Sequence, residues 1–229
     1  MKKNIIYNIV SLLFAAVTLT SCEIFGLDYQ DSYDFDYNAG IANNKIEMTP
    51  YDFIASRLDI FSLLKEAIDY AGMEEEFKQE NKTYILPTNT AFNSETTSDK
   101  SYFQQHQLFY IDDSTGDTIT YAPISMTAYP VDQVREFLLY HIVLGQYTFT
   151  NLPAEPTWYK TCASADTAYV NMYLLKDRNP NITFNNFDGH YKSTIKPRTA
   201  NLYSTICSSY MHVLDSWLDR PKQSDIQLK

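Results

Sequence analysis

Four histidines, three cysteines and 28 acidic side chains are the groups in this sequence that could do chemistry. The histidines are His106, His141, His190 and His212. None stands at an HExxH, HxH or Cys/His spacing that would close a tetrahedral metal site, so no metal is expected. A serine nucleophile of the hydrolase kind needs a Gly-x-Ser-x-Gly elbow, which is missing, and six glycines include no Gly-rich loop to cradle a phosphate. Carboxylates are numerous enough for a glycosidase-like pair, yet nothing in their spacing marks out any two. The densest run, Asp112-Asp113-Ser114-Thr115-Gly116-Asp117, lacks the ligand order and terminal Glu of an EF-hand and reads as an exposed hairpin tip. The expectation is a non-enzymatic chain without a cofactor.

Cys22 has a different context. Lys2 and Lys3 precede an uncharged, mostly apolar stretch from Asn4 to Leu19, too short and too broken by Asn8 and Ser11 for a membrane span. It reads as a signal peptide over residues 1–21. Its end, Leu19-Thr20-Ser21-Cys22, resembles the bacterial lipobox. That resemblance implies acylation of Cys22, with palmitate-type chains, and cleavage to leave it as the first mature residue. Each buried CH₂ contributes about 0.8 kcal/mol, so several chains anchor the protein firmly to a membrane. Residues 22–45 form an acidic tether with Glu23, Asp28, Asp31, Asp34 and Asp36 and no basic residue before Lys45. Acidic residues there resemble signals that send lipoproteins to the outer face of an outer membrane; a plain solvated linker is the equal alternative. The expected location is the outer membrane, lipid-anchored, with surface exposure open. Cys162 and Cys207 either close a disulfide loop of about 45 residues, contributing roughly 3–4 kcal/mol, or remain two buried thiols.

These groups need elements to hold them. The chain has 229 residues, 45% hydrophobic and 20% charged, enough for one domain with a core. Its formal charge of −10 repels phosphate backbones, which excludes nucleic acid as a partner. Nineteen tyrosines against six glycines suit sheets and contact surfaces. Thr49-Pro50-Tyr51-Asp52 is a helix start, and a second helix carries Leu63, Leu64, Ala67, Ile68 and Ala71 up to Gly72. Thr83–Leu86 alternates and stops at Pro87. A helix over 131–141 buries Val134, Phe137, Leu138 and Ile142, and Gln146–Thr150 is expected as a strand. Val170–Leu175 and Asn181–Phe187 pair around Asp177–Pro180, and Met211–Leu214 is the last strand. The class is α+β, with residues 46–221 as the domain and 222–229 as a polar tail.

Three of these segments together resemble the fasciclin I-like family. Thr83-Tyr84-Ile85-Leu86-Pro87-Thr88-Asn89-Thr90-Ala91-Phe92 is similar to its strand running into Pro-Thr-Asn-x-Ala-Phe. Leu138-Leu139-Tyr140-His141-Ile142-Val143-Leu144-Gly145 looks like its Tyr-His segment, and Met211-His212-Val213-Leu214-Asp215 like its closing strand. Ser208-Ser209 departs from the family's Asn-Gly, so the turn there should be built differently. The segment between the first two signatures looks expanded.

The resemblance implies a wedge-shaped β-sandwich bordered by short helices, and adhesion or binding to extracellular protein or glycan. A structural accessory subunit of an outer-membrane uptake assembly is the alternative. In the family the Tyr-His segment is discussed as an adhesion motif; for Tyr140 and His141 a buried packing role is the stronger expectation. Thr88 and Asn89 are expected to satisfy backbone groups freed by Pro87, and Phe92, Leu138 and Val213 to be buried.

Overall fold

The computed structural model describes residues 44–94, 101–176, 180–187 and 195–226. The signal peptide, Cys22 and nearly all of the tether lie outside those residues, as does His190. In chain order the elements are β1 (Lys45–Ile46), α1 (Pro50–Ser56), α2 (Leu58–Ala71), β2 (Lys82–Pro87), α3 (Asn89–Phe92), α4 (Tyr102–Gln105), β3 (Leu108–Ile111), β4 (Thr118–Tyr121), α5 (Val131–Tyr140), β5 (Ile142–Leu144), β6 (Thr157–Lys160), β7 (Tyr169–Leu175), β8 (Asn181–Phe184), β9 (Thr199–Ser204) and β10 (Ser209–Leu214). The class is α+β, as expected.

Local chemistry sets the helix ends. Thr49 Oγ1 accepts the Asp52 N–H at 3.1 Å and Pro50 opens α1. Gly72 closes α2 at φ +61°, and the Arg135 guanidinium donates twice to the Ala71 carbonyl, at 3.0 and 2.9 Å. Among the described residues no helix is long and apolar enough to cross a membrane.

A five-stranded sheet in the order β1-β9-β10-β2-β5 divides the core. β10 runs parallel to β2, with Met211 opposite Tyr84 and Val213 opposite Leu86. Successive strand side chains point to opposite faces. Tyr84, Leu86, Ile142, Met211 and Val213 therefore join one cluster with the helical residues Ile54, Phe61, Leu64, Phe92 and Leu138. Ile85, Val143 and Leu214 join another with Val170, Met172, Ile182 and Phe184 of the antiparallel sheet β6-β7-β8. The result is two sheets sharing one apolar layer, with helices on the far face. Both faces of β2 are buried, which is why Tyr84-Ile85-Leu86-Pro87 is a continuous apolar run after Lys82 and Thr83 rather than an alternation with polar residues.

Several expectations are corrected. Gln146–Thr150 is not a strand: Gly145 turns at φ +110°, and side chains take the backbone groups that a ladder would have used. Thr83 Oγ1 accepts the Tyr147 N–H at 2.9 Å, Asn151 Oδ1 the Thr148 N–H at 2.7 Å and Asn201 Oδ1 the Phe149 N–H at 3.3 Å. Ile142 belongs to β5, not to the preceding helix. Lys45 is paired with Tyr203 in the sheet rather than being tether, and Gln223–Asp225 forms one helical turn in the tail. Ser208 adopts φ +48°, so the turn before β10 keeps a left-handed residue without glycine. For Cys162 and Cys207, where both alternatives stood open, the structure has two free thiols: the Cys207 Sγ is directed at the Lys78 carbonyl, 3.1 Å away, and not at Cys162.

Candidate functional site

The signature residues come together around the ends of β2 and β10, nearly all of them as internal fittings. α2 is interrupted at Phe61 (φ −124°, ψ 17°). Asn89 Oδ1 accepts the Leu63 N–H at 3.0 Å, and its amide nitrogen lies 3.5 Å from the Asp59 carbonyl. Those are the two groups that an unbroken helix pairs with each other, so Asn89 is spliced into the interruption. Thr88 donates from Oγ1 to Asp215 Oδ1 at 2.8 Å while its N–H donates to the Leu214 carbonyl. Arg198 lies 3.6 Å from the same carboxylate oxygen. Pro87 ends β2 opposite Leu214, and Ala91 and Phe92 are buried. Thr83 donates from Oγ1 to the Gly145 carbonyl at 2.8 Å. A Cβ on Gly145 would stand 2.9 Å from the Tyr147 hydroxyl.

Tyr140 and His141 are each 1% exposed. The Tyr140 hydroxyl accepts from Asn185 Nδ2 at 2.9 Å and faces the Tyr169 and Asp219 carbonyls at 3.0 and 3.3 Å. His141 donates from Nδ1 to the Phe137 carbonyl (2.8 Å) and accepts the Leu218 N–H on Nε2 (3.1 Å). His212 uses the opposite tautomer: Nδ1 accepts the Asn201 N–H at 3.2 Å, and Nε2 donates to the Tyr147 carbonyl at 2.9 Å. Burial holds both imidazoles down to about 4, so each is neutral with both nitrogens committed. Neither is placed to shuttle a proton, and the Tyr-His pair presents no surface to a receptor. Among the described residues no group of three His, Cys, Asp or Glu side chains is placed to hold a metal.

Two other features do face outward. The first is the hairpin β3-β4, with Leu108 anchored in the core and the strands beyond it projecting into solvent. Phe109 is 68% exposed, Ile111 61% and, just past β4, Ile124 80%; Tyr110, Ile119 and Tyr121 are exposed as well. Cross-strand register places Tyr110 opposite Ile119 with Tyr121 in ring contact on the diagonal, while Phe109 and Ile111 lie on the other face with Thr118 and Thr120. At the tip Asp112 Oδ1 accepts from Ser114 N and Oγ and from Thr115 N, bonds to the Ser114 side chain foremost holding the carboxyl below its ordinary range. The run is an Asx-type turn, as expected, with Asp113 and Asp117 beside it.

The second is a cleft of about 280 Å³ whose walls include Tyr102, His106, Gln133, Glu136, Trp217 and Arg220. Its aromatic side is one assembly: Tyr102 and His106 stack at 4.1 Å, and Trp217 meets them edge-on at 5.3 and 5.0 Å. Arg220 donates to Glu136 Oε2 at 2.8 Å and to the Glu136 carbonyl at 2.9 Å, and Ser164 donates to Glu136 Oε1 at 2.8 Å. Burial works to raise the Glu136 carboxyl, but these bonds outweigh it and hold the group below its ordinary value.

Neither feature was predicted as a site. The hairpin left one signal, the turn-rich run at 112–117 flanked by Leu108–Ile111 and Thr118–Tyr121. The cleft left none, because its walls come from three separate segments, around 102–106, 133–140 and 217–220, that no local pattern links.

No protein-family model matches the chain, and no curated protein matches it. Among solved structures it is similar to one described as a FAS1 domain pair from the insect cell adhesion molecule Fasciclin I, with 11% identity and a TM-score of 0.49. The match covers 79% of this chain and 53% of that one, so the chain spans about half of its length. A likeness of that degree leaves the function to rest on this chain's own geometry.

Proposed function

We propose that this is a lipid-anchored envelope protein, held through Cys22, whose fasciclin-like domain binds an extracellular or envelope protein through the β3-β4 hairpin. The observation that carries this reading is the concentration of exposed apolar side chains there, on both faces of an otherwise unpartnered two-stranded sheet. Charge defines the partner further. No Lys or Arg occurs between Lys100 and Arg135, while Asp112, Asp113 and Asp117 crown the tip. The complementary surface is apolar with a basic rim. Binding needs no catalytic group, which agrees with two histidines locked inside the fold.

A photoreactive residue placed at 109 or 111 in cells tests the site. The expected result is one discrete adduct that is lost when Tyr110 and Ile119 are changed to Asp, and no adduct from a probe at exposed Glu155. Adducts equal at all three positions, or adducts that survive the Asp changes, would overturn the reading. Protease treatment of intact cells separates its two forms: digestion supports an extracellular partner and adhesion. Protection until lysis, with crosslinks confined to one outer-membrane protein, supports the accessory subunit. Cys22→Ser should move the protein from membranes to the soluble fraction.

A further inference from the structure

The geometry points to a second binding site, independent of the hairpin: the Trp217 cleft takes one neutral, hydroxylated ring, a sugar residue. Its size matches a single small ring, at the lower end of natural ligand pockets. Charge excludes the obvious competitors. Arg220 is bonded twice to Glu136, so an anion would have to displace a carboxylate from its partner beside a second acidic residue, Asp219. A cation finds Glu136 already neutralised. What remains is an aromatic wall of Tyr102 and His106, stacked on each other, with Trp217 edge-on to both, beside groups that both donate and accept. His106 donates from Nδ1 to the Tyr102 carbonyl at 3.0 Å, which leaves Nε2 as an acceptor. Gln133 is exposed and its Nε2 donates to the Tyr102 hydroxyl over a long 3.4 Å, the one side-chain bond it makes among the described residues, so its amide is available for exchange. Glu136 retains carboxylate lone pairs beyond its two bonds. Sugar rings present apolar C–H faces to aromatic walls and vicinal hydroxyls to such mixed donors and acceptors.

The chain holds two tryptophans, so Trp158→Phe leaves Trp217 as the sole reporter in the cleft. Full-length protein in detergent would be titrated with glucose, galactose, mannose and N-acetylglucosamine, with inorganic phosphate and glycerol as controls. The expected result is a saturable change in Trp217 emission with at least one sugar and none with the controls. Gln133→Ala should weaken it about tenfold, the effect of one lost hydrogen bond, without shifting the unfolding temperature, and His106→Ala, which also removes the stack on Tyr102, should weaken it at least as much. Phe109→Asp in the hairpin should leave it unchanged, which keeps this site distinguishable from the proposed protein interface. No saturable response to any sugar at tens of millimolar overturns the assignment. So does a response to phosphate alone, or a sugar response that survives both cleft variants.

Discussion

The signature region and the hairpin invert the usual placement of residue types. Around the ends of β2 and β10, polar side chains such as Thr83, Asn185, His141 and His212 are buried and fully bonded. In β3-β4, phenylalanine, tyrosine and isoleucine stand in water. Buried polar groups that are all satisfied specify one arrangement of the chain, whereas exposed apolar groups contribute nothing to folding until something covers them. In this protein, therefore, the residues that look chemical hold the fold, and those that look like core are left in solvent.

Measurements of stability sharpen that contrast, beginning where the polar interior is largest. Tyr140→Ala should cost about 3–5 kcal/mol, as for other buried aromatics, and lower the unfolding temperature by roughly 2–4 °C per kcal/mol in a chain of this size. A shift of less than a few degrees would mean that the Asn185 and Tyr169 contacts are dispensable. Acid should act next. His141 and His212 are held at about 4 against an ordinary 6.5, so the unfolded chain binds their protons first. Their contribution is complete above about pH 6.5 and falls as the pH drops toward 4, by about 2 kcal/mol for each histidine at pH 5. Denaturant midpoints at pH 7, 6 and 5 measure this, and His141→Gln or His212→Gln should flatten the decline.

Asn89→Ala removes the splint in α2 and leaves the Leu63 N–H without its acceptor. A loss of about 1–2 kcal/mol is expected, read from urea unfolding at pH 7. The smallest change should be a gain. Ser208→Gly relieves a left-handed residue at φ +48°, offset in part by the flexibility of glycine, for roughly 0.5 kcal/mol of added stability by calorimetry. A destabilised Ser208→Gly would show that the serine side chain, not only its backbone, supports the turn.

How much was legible follows from how each element is stabilised. β2, β10, α1, α2 and α5 carry their instructions locally, in apolar periodicity and in Thr49, Gly72 and Pro87, and are legible in the sequence. β9 carries no such signal, because TANLYS is mixed in polarity and bends at Asn201, φ +57°; it is a strand only because β1 and β10 flank it. The loop at 146–150 departs from its expected strand for the converse reason. Its residues favour a strand, but Thr83, Asn201 and His212, all distant in sequence, bind its backbone groups.

By itself, then, the sequence determined the α+β class, the main helix ends, the central strands and the hairpin tip, since each depends on neighbours within a few residues. Tertiary structure alone decided the remainder. Whether Tyr140, His141 and His212 meet solvent, that both faces of β3-β4 are left uncovered, and that Tyr102, Glu136 and Trp217 share one cleft all depend on contacts between distant segments. Burial and hydrogen-bond partnership are properties of the packed chain, and residue type constrains them only weakly.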